Sequence, residues 1–235
     1  MTSKAEHRHA IVVFSMTADR GFVVVPGVLA DAEIEALRSD LASMPRGRAG
    51  VRHVLGHPAI RALSEEPRLV QLATRFLGAP PQAFKATLFD KSPASNWLVA
   101  WHQDLALPVR SRVDAPGWGP WTDKGGRLHA IAPAEALSRV VALRVHLDDS
   151  GPDNGPLRVV PGSHRFGRLS TARINELVGE VAPIECTVGA GGIVVMRPLV
   201  LHASSKSISR RPRRVLHVEY ATDLVVGPGI ELAVA

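Results

Sequence analysis

Residues 97–104 read Trp97-Leu98-Val99-Ala100-Trp101-His102-Gln103-Asp104. An aromatic and β-branched run leads into a His-x-Asp pair. On an extended segment residues i and i+2 share a face, so His102 and Asp104 point the same way. Short segments of the same texture lie on both sides, at 84–89, 141–147, 157–160, 193–196 and 214–220, with Gly and Pro between them. Many short strands punctuated by turn residues predict a β-sandwich or barrel.

Upstream the periodicity changes. Residues 11–14 and 22–25 read as strands. Asp31 then opens a helix with Ile34, Leu37 and Leu41 at helical spacing and acidic residues in its first turn. Residues 45–50 read as a loop. A second helical region runs from Pro58 to Leu77, interrupted at Pro67 and stopped by Gly78. Downstream, a short helix follows Ser170, and residues 184–188 read as a strand containing Cys186. The stretch from Pro108 to Pro133, rich in Gly and Pro, reads as one long loop. The expected architecture is mainly β with flanking α, one domain over residues 1–235. Its helical part spans about 29–78 and its β body about 84–222.

The chain has 235 residues, 46% hydrophobic and 21% charged, with net charge +6. That is a folded composition with enough length for one core. No apolar run reaches the ~18 residues of a membrane span, and the polar start lacks the apolar stretch of a signal peptide. A soluble, cytoplasmic protein is expected. The single cysteine, Cys186, excludes an internal disulfide and reads as a small buried hydrophobe. The basic excess is mostly scattered arginine, without RNP-type aromatics or zinc-finger spacing. Nucleic acid is not the expected partner; a small anionic molecule fits that charge.

A His-x-Asp pair alone occurs often by chance. Here a second histidine, His202, follows the apolar strand 193–196 and the turn at Arg197-Pro198. Two His and one carboxylate make a facial triad with open positions, the ligand set of non-haem Fe(II) oxygenases; zinc sites use the same ligand types. After His202 the chain turns through 205–212 and returns along a strand. Arg213, Val215, His217 and Glu219 share one face of it, and Leu216, Val218 and Tyr220 the other. A guanidinium at the start of that strand can clamp a carboxylate bidentately.

Taken together, Trp101-His102-Gln103-Asp104, Asn154-Gly155-Pro156-Leu157 with Pro161-Gly162-Ser163-His164, and His202-x-Ser204 with Arg213 resemble the phytanoyl-CoA dioxygenase family of Fe(II)/2-oxoglutarate oxygenases. The similarity spans roughly Gly21 to Thr222. The resemblance implies a double-stranded β-helix (a cupin-like jelly roll) with helices on its flank, and iron at His102, Asp104 and His202. It implies that Arg213 binds the distal carboxylate of 2-oxoglutarate, assisted by Ser204, Gln103 and Lys91, with Arg214 as the alternative clamp. Phe89 stands where some members carry an asparagine. Halogenating members lack the carboxylate; Asp104 keeps it, so hydroxylation or a related oxidation is expected.

Other residues allow two readings. Trp118 and Trp121, in the long loop, are expected to roof a substrate pocket; Trp97 and Trp101 read as core. Arg144 and His146 either line the barrel mouth or form a polar outer face. His164 reads as part of a turn, and His53, His57 and His129 carry no partner spacing. The expected activity is a dioxygenase using Fe(II), 2-oxoglutarate and O2 on a small, anionic metabolite or natural-product intermediate, releasing succinate and CO2. Its alternatives are a cupin-type metalloenzyme without 2-oxoglutarate and a binding module without turnover.

Overall fold

The protein is described by a computed structural model covering residues 19–45 and 50–235. The strand expected at 11–14 lies outside the described residues. In chain order the strands are β1 (Phe22–Val25), β2 (Val51–Arg52), β3 (Gln82–Lys91), β4 (Val99–His102), β5 (Ala106–Pro108), β6 (Trp121–Asp123), β7 (Leu128–Ile131) and β8 (Val140–His146). They continue as β9 (Leu157–Val159), β10 (Ile184–Cys186), β11 (Ile193–Met196), β12 (His202–Ser204), β13 (Arg213–Ala221), β14 (Val225–Gly227) and β15 (Ile230–Glu231). The helices are α1 (Asp31–Asp40), α2 (Pro58–Ser64), α3 (Pro67–Leu77), α4 (Ala134–Ser138) and α5 (Thr171–Glu180).

A six-stranded sheet runs β1-β11-β8-β13-β3-β2 and a four-stranded sheet runs β10-β9-β12-β4. All of their pairings are antiparallel. These are the two sheets of a jelly roll.

Strand alternation gives the large sheet two chemically different faces. Leu216, Val218 and Tyr220 of β13, with Leu143 and Val145 of β8 and Ala86 and Leu88 of β3, join the main apolar cluster. The helices cover that face through Ile34, Leu37, Ile60, Leu63, Leu69, Leu72 and Phe76. Each such side chain, fully buried, contributes roughly 1.5–3 kcal/mol. Buried Tyr220 also donates its hydroxyl to Ser64 O at 3.0 Å, tying sheet to helix. The helix boundaries follow local chemistry. Glu33 accepts from Ala30 N at the start of α1, proline opens α2 and α3, and Gly78 ends α3 at φ +80. Ser170 accepts from Arg173 N to open α5.

One sequence expectation changes. The stretch from Pro108 to Pro133 is not a single loop: β6 and β7 form a hairpin that pairs with β5 as a three-stranded sheet. The chain also stays packed past residue 222. Val226, Ile230 and Leu232 are buried in a second cluster with Leu107, Val109 and Leu137, and Ala235 N donates to Phe84 O. No helix among the described residues is long and apolar enough to cross a membrane.

Candidate metal centre

The polar face of the large sheet and the inner face of the small one enclose a pocket of about 640 Å³. Register brings the triad together there. His202 is the direct antiparallel partner of His102, and their ring centroids lie 4.2 Å apart. In each ring Nδ1 sits 2.8 Å from the carbonyl oxygen two residues back, Ala100 O for His102 and Val200 O for His202. A carbonyl only accepts, so Nδ1 carries the proton and Nε2 keeps its lone pair.

Both Nε2 atoms face Asp104, at 3.6 Å from Oδ1 and 3.6 Å from Oδ2. That is too long for hydrogen bonds. All three candidate ligand atoms lie within 4.8 Å of one another, a group that fits one cation with bonds of about 2.1 Å. Burial works against charge on Asp104, but His202 and His102 outweigh it and hold the carboxyl well below its ordinary range. Burial pushes His202 down to about 4, leaving a neutral imidazole. His102 is also disfavoured by burial, yet Asp104 raises it above its usual value. The donor set is therefore two neutral-capable imidazoles and an ionised carboxylate, which suits a divalent metal.

The deep end of the pocket is cationic. Arg213 is 4% exposed, with Nη2 at 3.4 Å from Ser204 Oγ, while its Nε and Nη1 are buried without a hydrogen-bond partner among the described residues. Lys91, directly opposite on β3, donates to Ser204 Oγ at 2.9 Å and Ser205 O at 2.6 Å. Ser204 in turn donates to Gly155 O at 2.9 Å, which gives the Asn-Gly-Pro-Leu motif its place behind the pocket. Burial, then Arg213 and Arg144, push Lys91 down to about 7. Arg144 and His146 are both buried, so neither forms a polar outer face, and of the two Arg144 alone is in the pocket lining. Arg144 lines the pocket with Nη1 3.1 Å from His217 Nδ1. His146 is fully buried.

Arg214, the alternative clamp, faces outward. It holds Asp148 bidentately, Nε to Oδ2 and Nη2 to Oδ1, each at 2.8 Å. Gln103 is not free to assist a ligand. Its Nε2 donates to Gly167 O and Leu199 O, and its Oε1 accepts from Leu169 N, all at 2.8 Å. Trp118 and Trp121 do not roof the pocket; both pack against the second apolar cluster. Trp97 lines the pocket instead, with Lys91 Nζ 5.4 Å from its ring centroid. Trp101 packs with Leu177 and Leu201. Cys186 is buried, and burial pushes its thiol up to about 12.

The outer half of the pocket holds residues that sequence reading passed over. Lys85 pairs with buried Glu219 at 2.5 Å, and Arg52, Lys124 and His129 share the lining. In β3 the inward alternation Lys85-Thr87-Phe89-Lys91 carries the signal that a polar face meets a cavity. Nothing local marks Lys124.

A model of the phytanoyl-CoA dioxygenase family matches residues 18–215. The L-proline trans-4-hydroxylase of Streptomyces griseoviridis is 26% identical, aligned over 85% of this chain and 82% of its own length. The ectoine dioxygenase of Bordetella parapertussis is 24% identical over 85% and 71%. Among solved structures, the epimerase SnoN in complex with Fe3+, alpha ketoglutarate and nogalamycin RO superposes with a TM-score of 0.73 at 21% identity, covering 94% of this chain and 89% of that one. EctD from S. alaskensis with 2-oxoglutarate and 5-hydroxyectoine superposes at 0.67 and 18% identity, covering 91% and 75%. At these identities the structural likeness establishes the shared fold.

Proposed function

Because this chain belongs to the phytanoyl-CoA dioxygenase family, we propose that His102, Asp104 and His202 hold its Fe(II) and that Arg213 receives the distal carboxylate of 2-oxoglutarate. The protein is a dioxygenase dependent on Fe(II) and 2-oxoglutarate that acts on a small molecule. When bound, the metal and cosubstrate supply the oxidation of a substrate C–H bond by O2, with release of succinate and CO2.

The observation that carries the cosubstrate assignment is the buried Arg213 guanidinium, whose Nε and Nη1 have no hydrogen-bond partner among the described residues. Leaving a buried charge unpaired costs several kcal/mol, so such a site is built for an anion. Lys91 and Ser204 complete the donors on its two sides. Trp97 and Phe89 give the pocket an apolar lining beside them. The two histidines present Nε2 because backbone carbonyls fix their tautomer. Asp104 is held ionised, and among the described residues it carries the only carboxylate lining the pocket.

The test is an anaerobic titration of metal-free protein with Fe(II) and 2-oxoglutarate, following the weak visible charge-transfer band. The band is expected in the wild type and is weakened or lost in Asp104→Ala and Arg213→Ala. Iron binding without a band in the wild type would overturn the 2-oxoglutarate assignment.

A further inference from the structure

The pocket has two cationic ends, and one small dicarboxylate cannot serve both. Arg213 pairs in register with Lys91, whereas Glu219 pairs with Lys85, six residues along each strand. At ~3.3 Å per residue that is roughly 20 Å of sheet. Thr87, beside Arg52 in the β2–β3 register, lies between the two ends. His217, the β13 partner of Thr87, is among the groups acting on Asp104, which sets the candidate metal ligands near this middle region.

At the outer end, Lys85 is matched by Glu219. Arg52 and Lys124 line the same pocket and have no ion pair among the described residues. Asp104, the one acid lining the pocket among the described residues, faces the two candidate metal-site histidines. The opposite wall is apolar, formed by Ala100, Ala106 and Ile131, with Leu98 60% exposed at the mouth.

Lys124 is also held in place. It sits in the β6–β7 turn, closed by Lys124 N donating to Arg127 O at 3.0 Å and Gly126 N donating to Asp123 Oδ1 at 2.9 Å. His53 Nε2 lies 2.7 Å from Lys124 O and binds the turn across to the large sheet. His53 does this at φ +59, the only positive φ on a non-glycine among the described residues. That conformation costs about 1–3 kcal/mol and persists only where its surroundings fix it. Gly125 lies against the same ring; a Cβ there would touch His53 at 3.6 Å. Buried His129 stands beside it, ring centroids 5.7 Å apart. The strained contact ties the Lys124 turn over the pocket. Burial first, then Lys85 and Arg52, lowers the Lys124 pKa, against Asp104 and Glu219, which raise it; an anion between Lys124 and Arg52 favours the charged lysine.

We infer that Lys124 and Arg52 form an anion-receiving substrate subsite, so that the substrate joins a carboxylate or phosphate group to a short apolar body. The inference rests on the proposed function for its orientation: the anion is held at the outer end, and the apolar body lies across the face of the metal centre.

The experiment uses the full chain, loaded anaerobically with Fe(II) and saturating 2-oxoglutarate so that the Arg213 end is filled. Hexanoate, hexyl phosphate and hexanamide are titrated calorimetrically. At least one anion is expected to bind roughly tenfold more tightly than the amide. Hexanoate ahead of hexyl phosphate identifies a carboxylate, and the reverse order a phosphate. Lys124→Met and Arg52→Met lose the preference, and Lys124→Arg keeps it, which separates charge from misfolding. The inference is overturned if none of the three probes binds, if the amide binds as well as the anions, or if Lys124→Met keeps the preference. Affinity for 2-oxoglutarate, measured in the same samples, reads the deep end separately. Its absence, with the anion preference intact and still dependent on Lys124, would sink the proposed function and leave the subsite standing.

Discussion

Lys91 and Arg213 stand opposite each other on β3 and β13, two buried basic side chains that share the hydroxyl of Ser204. An arrangement that disfavours the empty protein and favours an anion has a diagnostic signature. Arg213→Leu removes an uncompensated buried charge, so the unliganded protein should be as stable as the wild type or more so. The same change removes a charge-assisted contact worth about 2–4 kcal/mol, weakening 2-oxoglutarate binding by roughly 30- to 1000-fold. Thermal denaturation and calorimetry on one variant read both. A fall in unliganded stability of several degrees would show that Arg213 is instead paired in the resting protein.

Lys91 adds a pH signature. Its pKa is pushed down to about 7 by burial and by Arg213 and Arg144. The unfolded chain keeps this proton up to about 10.4, so folding stability should rise with pH from about 7 towards that value and be level below it. An anion beside Lys91 favours the charged form. At pH 8 the free protein is mostly neutral at Lys91 and the complex is not, so 2-oxoglutarate binding should take up a proton. Calorimetry in buffers of different ionisation enthalpy measures that uptake. It should vanish in Lys91→Met, and proton release in the wild type would contradict the assignment.

The β13 alternation was legible because its two faces differ in polarity residue by residue, Arg213 to Glu219 on one side and Leu216 to Tyr220 on the other. Hairpin β6–β7 was not, because its strands are three and four residues long and lie among Gly and Pro that signal turns. Trp118 and Trp121 were misplaced for the same reason: without the hairpin, nothing assigns them to the second apolar cluster. The choice between Arg213 and Arg214 hung on Asp148, 66 residues away from Arg214. Arg52, Lys85 and Lys124 converge from three strands or turns, and convergence of that kind leaves no local pattern.

Arg214 provides the contrast to its neighbour. Its side chain is 25% exposed and holds Asp148, which Arg38 also meets at 3.3 Å. Arg214→Met should destabilise the protein by about 1–2 kcal/mol, softened by the remaining Arg38 contact. Affinity for 2-oxoglutarate should not change, since the side chain lies on the far face of the sheet. Urea unfolding and the charge-transfer titration together check this. A variant that lost cosubstrate affinity while folded would reassign the clamp.

Asp104 is one-third exposed, and its carboxylate lies 3.6 Å from each imidazole Nε2, beyond hydrogen-bond length. Asp104→Ala should therefore leave the thermal midpoint of the metal-free protein nearly unchanged. In the wild type, metal at a hundred times its Kd stabilises the fold by about 2.7 kcal/mol, and a chelator abolishes the gain. The variant should show little of that gain. Differential scanning fluorimetry with Fe(II) under argon makes the comparison. A metal shift that survives in Asp104→Ala would mean that the ion binds elsewhere.

Gln103 lies between two of the proposed metal ligands yet serves the backbone. Its amide bridges Gly167 O, Leu199 O and Leu169 N, three groups from two separate loops, and is 7% exposed. Gln103→Leu keeps the volume and strands all three. Each stranded buried group costs about 1–3 kcal/mol, and partial access of water lowers the sum, so a loss of roughly 2–4 kcal/mol is expected. Gln103→Glu removes both donors and sets a carboxylate against two carbonyl oxygens, so it should be at least as damaging. In both variants the folded fraction should bind 2-oxoglutarate within a few-fold of the wild type, because the amide points away from Arg213 and its neighbours. Chemical denaturation gives the first quantity, and calorimetry below the unfolding transition gives the second. A stable Gln103→Leu protein with greatly weakened cosubstrate binding would return Gln103 to the cosubstrate contacts.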